Sequence, residues 1–445
     1  MTAISDTIEQ PIILEAPVER PTRMRYVMLT FLLLATVVSY VDRTNLGIAA
    51  PFMSKDLGLD KAQMGQIFAA FGLTYAFALI PGGYIADVFG SRLSYAIALV
   101  SWSAATMVQG FTNSFNTLVG TRLAIGALEA PAFPANARAV TMWFPTKERG
   151  FATSVYITGQ YLGTPLFAAI LLWVAQEYGW RSVFYATGLS GLILGSLWYF
   201  IYQDPMDCKR ANAQELKYIE AGGGLATNRE KTKFDWTALF RLLQYRQVLA
   251  ICLGKYCSNS VLVFFGTGFL TYLVEERKMT IIKVGIFQIL PFVGATAGIL
   301  LAGFVSDLLI RRGFSMSSAR KTPLITGTLL ASAIVLVNYV TSDAAIIAIL
   351  TVAFFAQGIA ASSWAAVSEV APKQFIGLTS GITSLAANLA GASTPVAIGY
   401  ILQATGSFYW ALNFIGIVCL VGAFSYSVLL GRLHRIEMEP VRGAG

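Results

Sequence analysis

The sequence predicts an all-α membrane protein with twelve transmembrane helices in two pseudo-symmetric six-helix bundles. Only 13% of the 445 residues are charged and 56% are hydrophobic, whereas about 25% of the residues of a typical soluble protein are charged. The apolar residues are also collected into about twelve runs that are long enough to span a bilayer as helices. This composition excludes a soluble enzyme and a disordered chain, and it makes the lipid bilayer an expected partner.

Six of the apolar runs precede a polar stretch and six follow it. They lie at about 26–50, 64–86, 93–111, 117–142, 151–175, 181–203, 248–274, 281–309, 322–340, 344–368, 376–402 and 408–431. We therefore expect six-helix bundles at residues 22–203 and 248–432, joined by a cytosolic central loop at residues 204–247. Residues 1–21 and 433–445 are expected to be cytosolic tails, and the first is expected to be disordered because it has no apolar core.

The basic residues follow this topology. The net charge is +8, and 22 of the 32 Lys and Arg lie in segments that face the cytosol if both termini and the central loop are inside. Cytoplasmic loops of membrane proteins carry such an excess. The sequence thus predicts a multi-pass protein of a bacterial-type plasma (inner) membrane with both termini in the cytoplasm. The positive charge gives no reason to expect a nucleic-acid partner.

The cysteine and histidine residues predict neither a metal site nor a cofactor. The chain has one histidine, His434, which lies in a polar tail, and its four cysteines include no CxxC pair. Zinc sites and disulfide frameworks require clustered ligands or characteristic spacings. Because the sequence also contains no nucleophile–histidine arrangement and no nucleotide-binding loop, we do not expect an enzyme.

A short motif is repeated in the two halves of the chain. Its residues are Gly83, Asp87, Gly90 and Arg92 in the first half and Gly303 and Asp307 in the second. Glycine permits two helices to approach closely, and an aspartate can meet the terminus of a neighbouring helix. Duplicated halves are typical of secondary transporters, which bind their substrates between the halves near the midplane of the membrane.

These motifs resemble the major facilitator superfamily, whose cytosolic loop signature is similar to the segment from Gly83 to Arg92. Residues 40–46 (Tyr-Val-Asp-Arg-Thr-Asn-Leu), residues 129–138 and residues 143–150 resemble the anion:cation symporter family more narrowly. Within it, the chain is most similar to the proton-coupled importers of glucarate, galactarate and galactonate. The resemblance covers about residues 22–437. It implies the major facilitator fold, alternating access, H+ as the coupling ion and a functional monomer.

Four charged residues stand out inside the predicted helices. A charge at the bilayer centre costs about 2.5–3.5 kcal/mol, so such residues are functional candidates. Asp42 and Arg43 are neighbours and point about 100° apart on a helix, so we expect each to meet a partner on another helix. Arg122 and Glu129 lie seven residues apart on one helix face and offer a cation for an anion and a carboxylate for a proton. The alternative for both pairs is a structural role without transport.

The resemblance assigns roles to these and other residues. In the related sugar-acid importers the positions of Asp42 and Glu129 bind protons, while those of Arg43 and Arg122 support binding of the substrate carboxylate. Further positions that match polar cavity positions of the family are Tyr40, Tyr75, Gln160 and Trp364.

The chain departs from its relatives at positions that would contact substrate. Lys255 replaces a glutamine, and Thr383-Ser384 replaces a Phe-Asn pair. We include Lys255 and Ser384 among the candidate substrate-binding residues. Lys255 would bind a second carboxylate or attract anions into the cavity; the alternative is that it extends to the inner surface or pairs with Glu369.

The sequence therefore predicts a proton-coupled symporter that imports a small organic anion, and the resemblance favours a sugar acid. The residues leave open a hexarate, hexonate, uronate, small dicarboxylate or aromatic carboxylate. A metabolite or drug exporter of the same fold is the main alternative, but the intramembrane arginines favour anions over cations and neutral lipophiles. A membrane enzyme or receptor is disfavoured, because the longest polar segment is the central loop.

Overall fold

The computed structural model describes residues 20–226, 236–279 and 289–438, and all regular structure within them is helical. Most of the predicted N-terminal tail, part of the central loop, the start of the run predicted at 281–309 and the chain end lie outside these residues. The α-helices are α1 (Met24–Leu57), α2 (Lys61–Gly110), α3 (Phe115–Glu129), α4 (Ala132–Trp143), α5 (Arg149–Tyr178), α6 (Trp180–Ile201), α7 (Ala213–Ala221), α8 (Trp236–Leu242), α9 (Arg246–Thr271), α10 (Ile289–Arg311), α11 (Met316–Ala331), α12 (Asp343–Ala360), α13 (Ser363–Val370), α14 (Ile376–Thr405) and α15 (Phe408–Phe424). Short 3-10 or π-helical turns lie at Pro205–Asp207, Tyr272–Glu276, Ser332–Tyr339 and Ser425–Leu429.

The described residues contain ten helices that are long and apolar enough to cross a bilayer. One of them, α2, holds two of the predicted spans, because Gly90 adopts a φ of 75° inside it and kinks the helix. Glycine is the residue that accepts this conformation without strain. Another span is divided into α3 and α4 around Pro131, which has no backbone N–H to continue the helix. These two features reconcile ten helices with twelve spans, and the predicted all-helical fold is confirmed.

The two halves of the chain meet through equivalent helix pairs. α2 packs on α14, and α5 packs on α10. At both crossings a glycine permits the approach: a Cβ atom added to Gly83 would lie 2.4 Å from the carbonyl oxygen of Gly377, and one added to Gly303 would lie 2.7 Å from that of Gly150. Both distances are too short for any side chain, so the repeated glycines determine how closely the halves approach.

The predicted central loop contains α7 and α8, and α7 packs against the first half. Arg25, in the first turn of α1, forms ion pairs with Glu148 at 3.0 Å and with Glu215 of α7 at 3.1 Å. Glu215 also accepts hydrogen bonds from the backbone N–H groups of Met24 and Arg25, both at 3.2 Å. A carboxylate at this position satisfies the free N–H groups of the helix terminus.

Candidate functional site: a cavity between the two halves

A cavity of about 270 Å³ lies between the halves and is lined by helices of both. All the predicted substrate-binding residues except Arg122 are in its wall: Tyr40, Arg43, Tyr75, Gln160, Lys255, Trp364 and Ser384. Arg43 comes from α1 in the first half and Lys255 from α9 in the second. The wall thus carries one cation from each half, together with neutral hydroxyl and amide groups.

Arg43 is held at the cavity wall by Glu129. Its Nε and Nη2 atoms donate to Glu129 Oε1 at 2.9 and 2.8 Å, and Ser39 Oγ donates to the same oxygen. The other carboxylate oxygen, Glu129 Oε2, is buried without a hydrogen-bond partner among the described residues. The guanidinium of Arg43 also lies against the rings of Tyr40 and Tyr75, at 4.8 and 4.5 Å from their centroids. Arg43 is therefore oriented by aromatic rings and neutralised by one carboxylate oxygen.

Asp42 points away from Arg43, into the first half. Its Oδ2 atom accepts a hydrogen bond from Trp102 Nε1 at 3.0 Å, while Oδ1 is buried without a partner among the described residues. Asp42 is 1% exposed and is not part of the cavity wall. The structure shows the expected arrangement, in which Asp42 and Arg43 each meet a partner on another helix. The partner of Asp42 is Trp102 on α2, and the partner of Arg43 is Glu129 on α3.

Arg122 lies behind the wall rather than in it. It is 3% exposed, and its guanidinium lies 4.9 Å from the centroid of the Phe71 ring. The same ring lies 5.2 Å from the Arg43 guanidinium. Among the described residues Arg122 forms no ion pair. It is thus a buried cation outside the wall that contacts the same aromatic ring as Arg43.

Lys255 does not pair with Glu369, so that alternative is wrong. Its Nζ atom lies 3.2 Å from the centroid of the Trp364 ring and donates to Thr383 Oγ1 at 3.3 Å. Glu369 is instead bound by Arg149 at 3.0 Å and lies 3.6 Å from Arg320. Lys255 is 3% exposed, and no carboxylate in the described parts of the chain lies within ion-pair distance of it. A buried charge without a counter-ion is costly, and a bound anion would reduce that cost.

Several residues of the wall were missed by sequence reasoning. They are neutral groups: Tyr161, Ser258, Asn259, Gln357, Ser363 and Asn388. Helical spacing could have found two of them, since Asn259 is four residues after Lys255 and Asn388 is four residues after Ser384. Both amides donate to backbone carbonyls of α14, Asn259 to Ala387 at 2.7 Å and Asn388 to Ser384 at 2.9 Å. Their carbonyl oxygens and their remaining N–H groups are left for a ligand.

On one side of the cavity the halves are closed by two equivalent caps. Asp87 accepts hydrogen bonds from the N–H groups of Gly377 and Leu378, at 2.7 and 2.8 Å, at the start of α14. Asp307 accepts from the N–H groups of Gly150 and Phe151, at 3.1 and 2.7 Å, at the start of α5. In each case the repeated aspartate of one half caps a helix of the other. We call this face the closed side.

Other motif residues and a buried ion network complete the closed side. Arg92 donates to the carbonyl of Tyr199 at 3.0 Å and makes no cap. The pair of Arg149 and Glu369 connects the two halves. Arg435, beyond the last span, donates to backbone carbonyls at the end of α13 at 3.0 and 3.1 Å. Burial lowers the pKa of Arg435 to about 10, with nearby Arg149 acting in the same direction, so Arg435 stays charged near neutral pH.

The fold and the site define a two-half membrane carrier with a polar central cavity. The sequence profile of the Major Facilitator Superfamily matches residues 32–318, and the chain belongs to this superfamily. The family, together with bacterial relatives and the apolar helices, identifies a multi-pass transporter of the inner membrane.

Comparison with known proteins gives similar relatives over nearly the whole chain. The chain is 40% identical over 439 residues to the probable galactarate/D-glucarate transporter GudP of Escherichia coli strain K12, covering 96% of this chain and 98% of that protein. It is 39% identical over 426 residues to the D-galactonate transporter of Escherichia coli O6:H1, covering 94% and 98%. The solved structure of the proton:xylose symporter XylE with 6-bromo-6-deoxy-D-glucose has a TM-score of 0.71 at 16% identity, covering 91% of this chain and 96% of that chain. This last likeness is one of fold.

Proposed function

We propose that the chain is a proton-coupled symporter that imports an organic anion of the sugar-acid class, such as glucarate, galactarate or galactonate. It works by alternating access, as a monomer, with both termini in the cytoplasm. One observation carries this proposal: Arg43 in the cavity wall forms an ion pair with the buried carboxylate of Glu129. The names of the relatives, which are sugar-acid transporters, support the substrate class.

The pair couples a proton to an anion through competition for one guanidinium. While Glu129 is ionised, it neutralises Arg43, and a substrate carboxylate would have to displace it. A proton on Glu129 removes that competing charge, and the guanidinium can then form paired hydrogen bonds with the substrate, a geometry that arginine offers to carboxylates. Binding of the proton and binding of the anion therefore favour each other by the same free energy.

Asp42 provides a second proton site. Its buried carboxylate has one oxygen bound to Trp102 and one without a partner among the described residues, so the site is built for a carboxyl group whose charge changes. Arg122 and Glu129 are the charged groups that act on it. We therefore assign proton binding to Asp42 as well as to Glu129, and we assign to Arg122 the role of a fixed positive charge behind the cavity.

Alternating access requires the closed side to open. The two caps must break when the halves rock, and hydrogen bonds to a charged group contribute about 1.5–3 kcal/mol each. The motif aspartates Asp87 and Asp307 then stabilise the conformation described above, with the cavity closed toward the cytoplasm, and the opposite conformation lacks these contacts.

Removing both caps should shift the carrier toward the inward-open conformation. The test places spin labels at Lys147 and Arg312, which are exposed at the closed side on opposite halves. We expect Asp87→Asn combined with Asp307→Asn to lengthen the distance between the labels. The reason is that an amide has no negative charge to bind the N–H groups at the helix termini. Double electron–electron resonance spectroscopy measures this distance. The control, Asp343→Asn, changes an exposed aspartate at the start of α12. An unchanged distance in the double variant would contradict the role of the caps.

Lys255 should favour substrates with two carboxylates. We expect Lys255→Gln to weaken binding of galactarate about tenfold relative to galactonate, since the two differ in one terminal carboxylate and a hydrogen bond to a charged group is worth about 1.5–3 kcal/mol. Isothermal titration of the purified protein with both acids measures the ratio. Lys321→Gln, which removes a lysine that donates to carbonyls outside the cavity, is the control. Equal weakening of both acids would reject a second-carboxylate role.

The proposed function is tested by binding followed by uptake. The purified carrier is screened by thermal unfolding with glucarate, galactarate, galactonate and, as an uncharged control, galactose. A ligand that binds the folded state raises the unfolding temperature, and we expect this for the acids alone. Acids that bind are then tested for uptake into proteoliposomes with an acidic exterior, which a protonophore should abolish. Stabilisation by lipophilic cations and not by acids would favour the exporter.

A further inference from the structure

A line of buried polar side chains leads from Asp42 along the first half, away from the closed side. Asn45 lies one turn beyond Asp42 on α1. Trp102, Thr106 and Gln109 follow on one face of α2, and α1 and this part of α2 both run away from the closed side. Asp42, Asn45, Thr106 and Gln109 are each at most 1% exposed. These side chains lie inside the six-helix bundle of the first half, and none of them lines the cavity between the halves.

Several polar atoms of this line lack hydrogen-bond partners among the described residues. They are Asp42 Oδ1, Asn45 Oδ1, Ser103 Oγ and both terminal atoms of Gln109. A buried polar group without a partner costs about 1–3 kcal/mol, and folded proteins commonly satisfy such groups with internal water molecules that form about three hydrogen bonds. Gln109 is the strongest case, because a wholly buried amide leaves two donors and an acceptor unused.

The neighbouring helix α6 contributes a further polar group and packs closely against α2. Asn45 Nδ2 donates to Thr187 Oγ1 at 3.0 Å. Gly191 faces Ser103, and a Cβ atom added to it would lie 2.0 Å from Ser103 Oγ, so α6 presents backbone and no side chain here. The two helices therefore pack closely beside these polar groups.

The outer end of the line lies close to an exposed polar cluster. Thr112 Oγ1 donates to the carbonyl of Gln109 at 2.7 Å, and the next residue, Asn113, accepts from Arg181 at 2.8 Å. Arg181 also pairs with Asp56 at 2.7 Å, and these two side chains are 33% and 50% exposed. Gln109 therefore lies about one helical turn below the surface. It is seven residues, or about 10 Å along the helix, from Trp102.

We propose that this line is a water-filled proton route that connects the outer surface to Asp42 through the first half, separately from the substrate cavity. Asn45, Thr106, Thr187 and Gln109 hold the water molecules, and a proton passes along their hydrogen bonds to the unpaired Oδ1 atom of Asp42. Among the residues that the structure describes, the polar side chains named along the route between Arg181 and Asp42 are uncharged. Arg122 and Glu129 of α3 are the charged groups that act on Asp42, whereas α2 and α6 contribute the uncharged Trp102 and Thr187.

This inference rests on the proposed proton coupling and adds a separate consequence. If protons and substrate enter by different paths, the proton path can be obstructed without changing the cavity. Uptake driven by a pH gradient requires Asp42 to take up and release its proton in every cycle. Exchange of internal for external substrate at equal pH on both sides uses the loaded carrier, which need not release its proton. An obstructed route thus slows the first process and spares the second.

The test compares both processes in proteoliposomes containing Gln109→Leu, which keeps similar volume and binds no water. We expect pH-driven uptake of a sugar acid to be about tenfold slower, with exchange unchanged. Thr106→Val, a smaller change on the same route, should act in the same direction. The matched control is Thr328→Val: Thr328 is buried in the second half and donates to the carbonyl four residues earlier at 2.7 Å, as Thr106 does at 3.0 Å.

The outcomes separate the route from the proposed function. Selective slowing of pH-driven uptake by both route variants, and not by the control, supports the route. Equal slowing of uptake and exchange, or no slowing of either, overturns it. If the unaltered protein binds and exchanges sugar acids but shows no response to a pH gradient, the proposed proton coupling itself fails, whatever the route variants do.

Discussion

Replacing Glu129 by glutamine should abolish accumulation of substrate while preserving its binding. Glutamine cannot exchange a proton and carries no charge to neutralise Arg43, so the guanidinium remains available to the substrate at every pH. We expect Glu129→Gln proteoliposomes to equilibrate or exchange a sugar acid but not to concentrate it above the outside level under an acid-outside gradient. Asp42→Asn should likewise lose proton-driven accumulation, since it removes the second exchangeable proton.

Uptake and exchange of radiolabelled substrate in the same vesicles measure both properties. A matched control is Glu148→Gln, which changes a buried carboxylate that pairs with Arg25 at the end of the bundle and lies outside the proposed mechanism. Normal accumulation by Glu129→Gln and by Asp42→Asn would remove both carboxylates from the coupling mechanism. Loss of binding in Glu129→Gln would show that this carboxylate acts in the cavity in some way other than by competing for Arg43.

Replacing Arg43 by glutamine should, in contrast, weaken the binding of substrate itself. Arg43 is the cation that α1 places in the wall, and the loss of a charge-assisted pair of hydrogen bonds, worth about 1.5–3 kcal/mol, weakens binding about 10- to 100-fold. Arg43→Lys should recover part of this affinity, because lysine keeps the charge and loses the paired geometry. Titration calorimetry with galactarate gives the three affinities.

Two comparisons make the Arg43 prediction specific. Arg312→Gln, at an exposed position on the closed side, should bind substrate with unchanged affinity. Binding by Glu129→Gln should depend less on pH than binding by the unaltered protein, which should strengthen as the pH falls. Unchanged affinity in Arg43→Gln would mean that another cation, such as Lys255 or Arg122, captures the substrate carboxylate.

The charged part of the site could be predicted from the sequence because charge is rare in apolar runs. Asp42, Arg43, Glu129 and Lys255 each interrupt such a run, and a charge in the bilayer requires a reason. The neutral wall residues Asn259, Gln357 and Asn388 were missed, because amides occur in membrane helices for many reasons and only the folded cavity distinguishes them. Nothing in the sequence indicated that Arg122 would lie outside the cavity wall, against the ring of Phe71.

The breaks within helices could also be predicted only in part from the sequence. Pro131 indicates the interruption between α3 and α4, since proline cannot donate to the preceding turn. The break between α12 and α13, at Ala361 and Ser362, has neither proline nor glycine to indicate it. The alternative in which Lys255 pairs with Glu369 does not describe the structure for a related reason: the partner of Glu369 is Arg149, 220 residues away in the sequence, and only the closure of the two halves brings the two together.

The central claim is that substrate and protons enter together, and a pH electrode tests it most directly. Vesicles containing the purified protein are suspended in weakly buffered medium without a pH gradient, and galactarate is added outside. The proposal predicts that the medium becomes more alkaline as the acid enters, that galactose causes no change, and that Glu129→Gln vesicles show none with either compound. Entry of radiolabelled galactarate with no change in external pH would contradict proton symport.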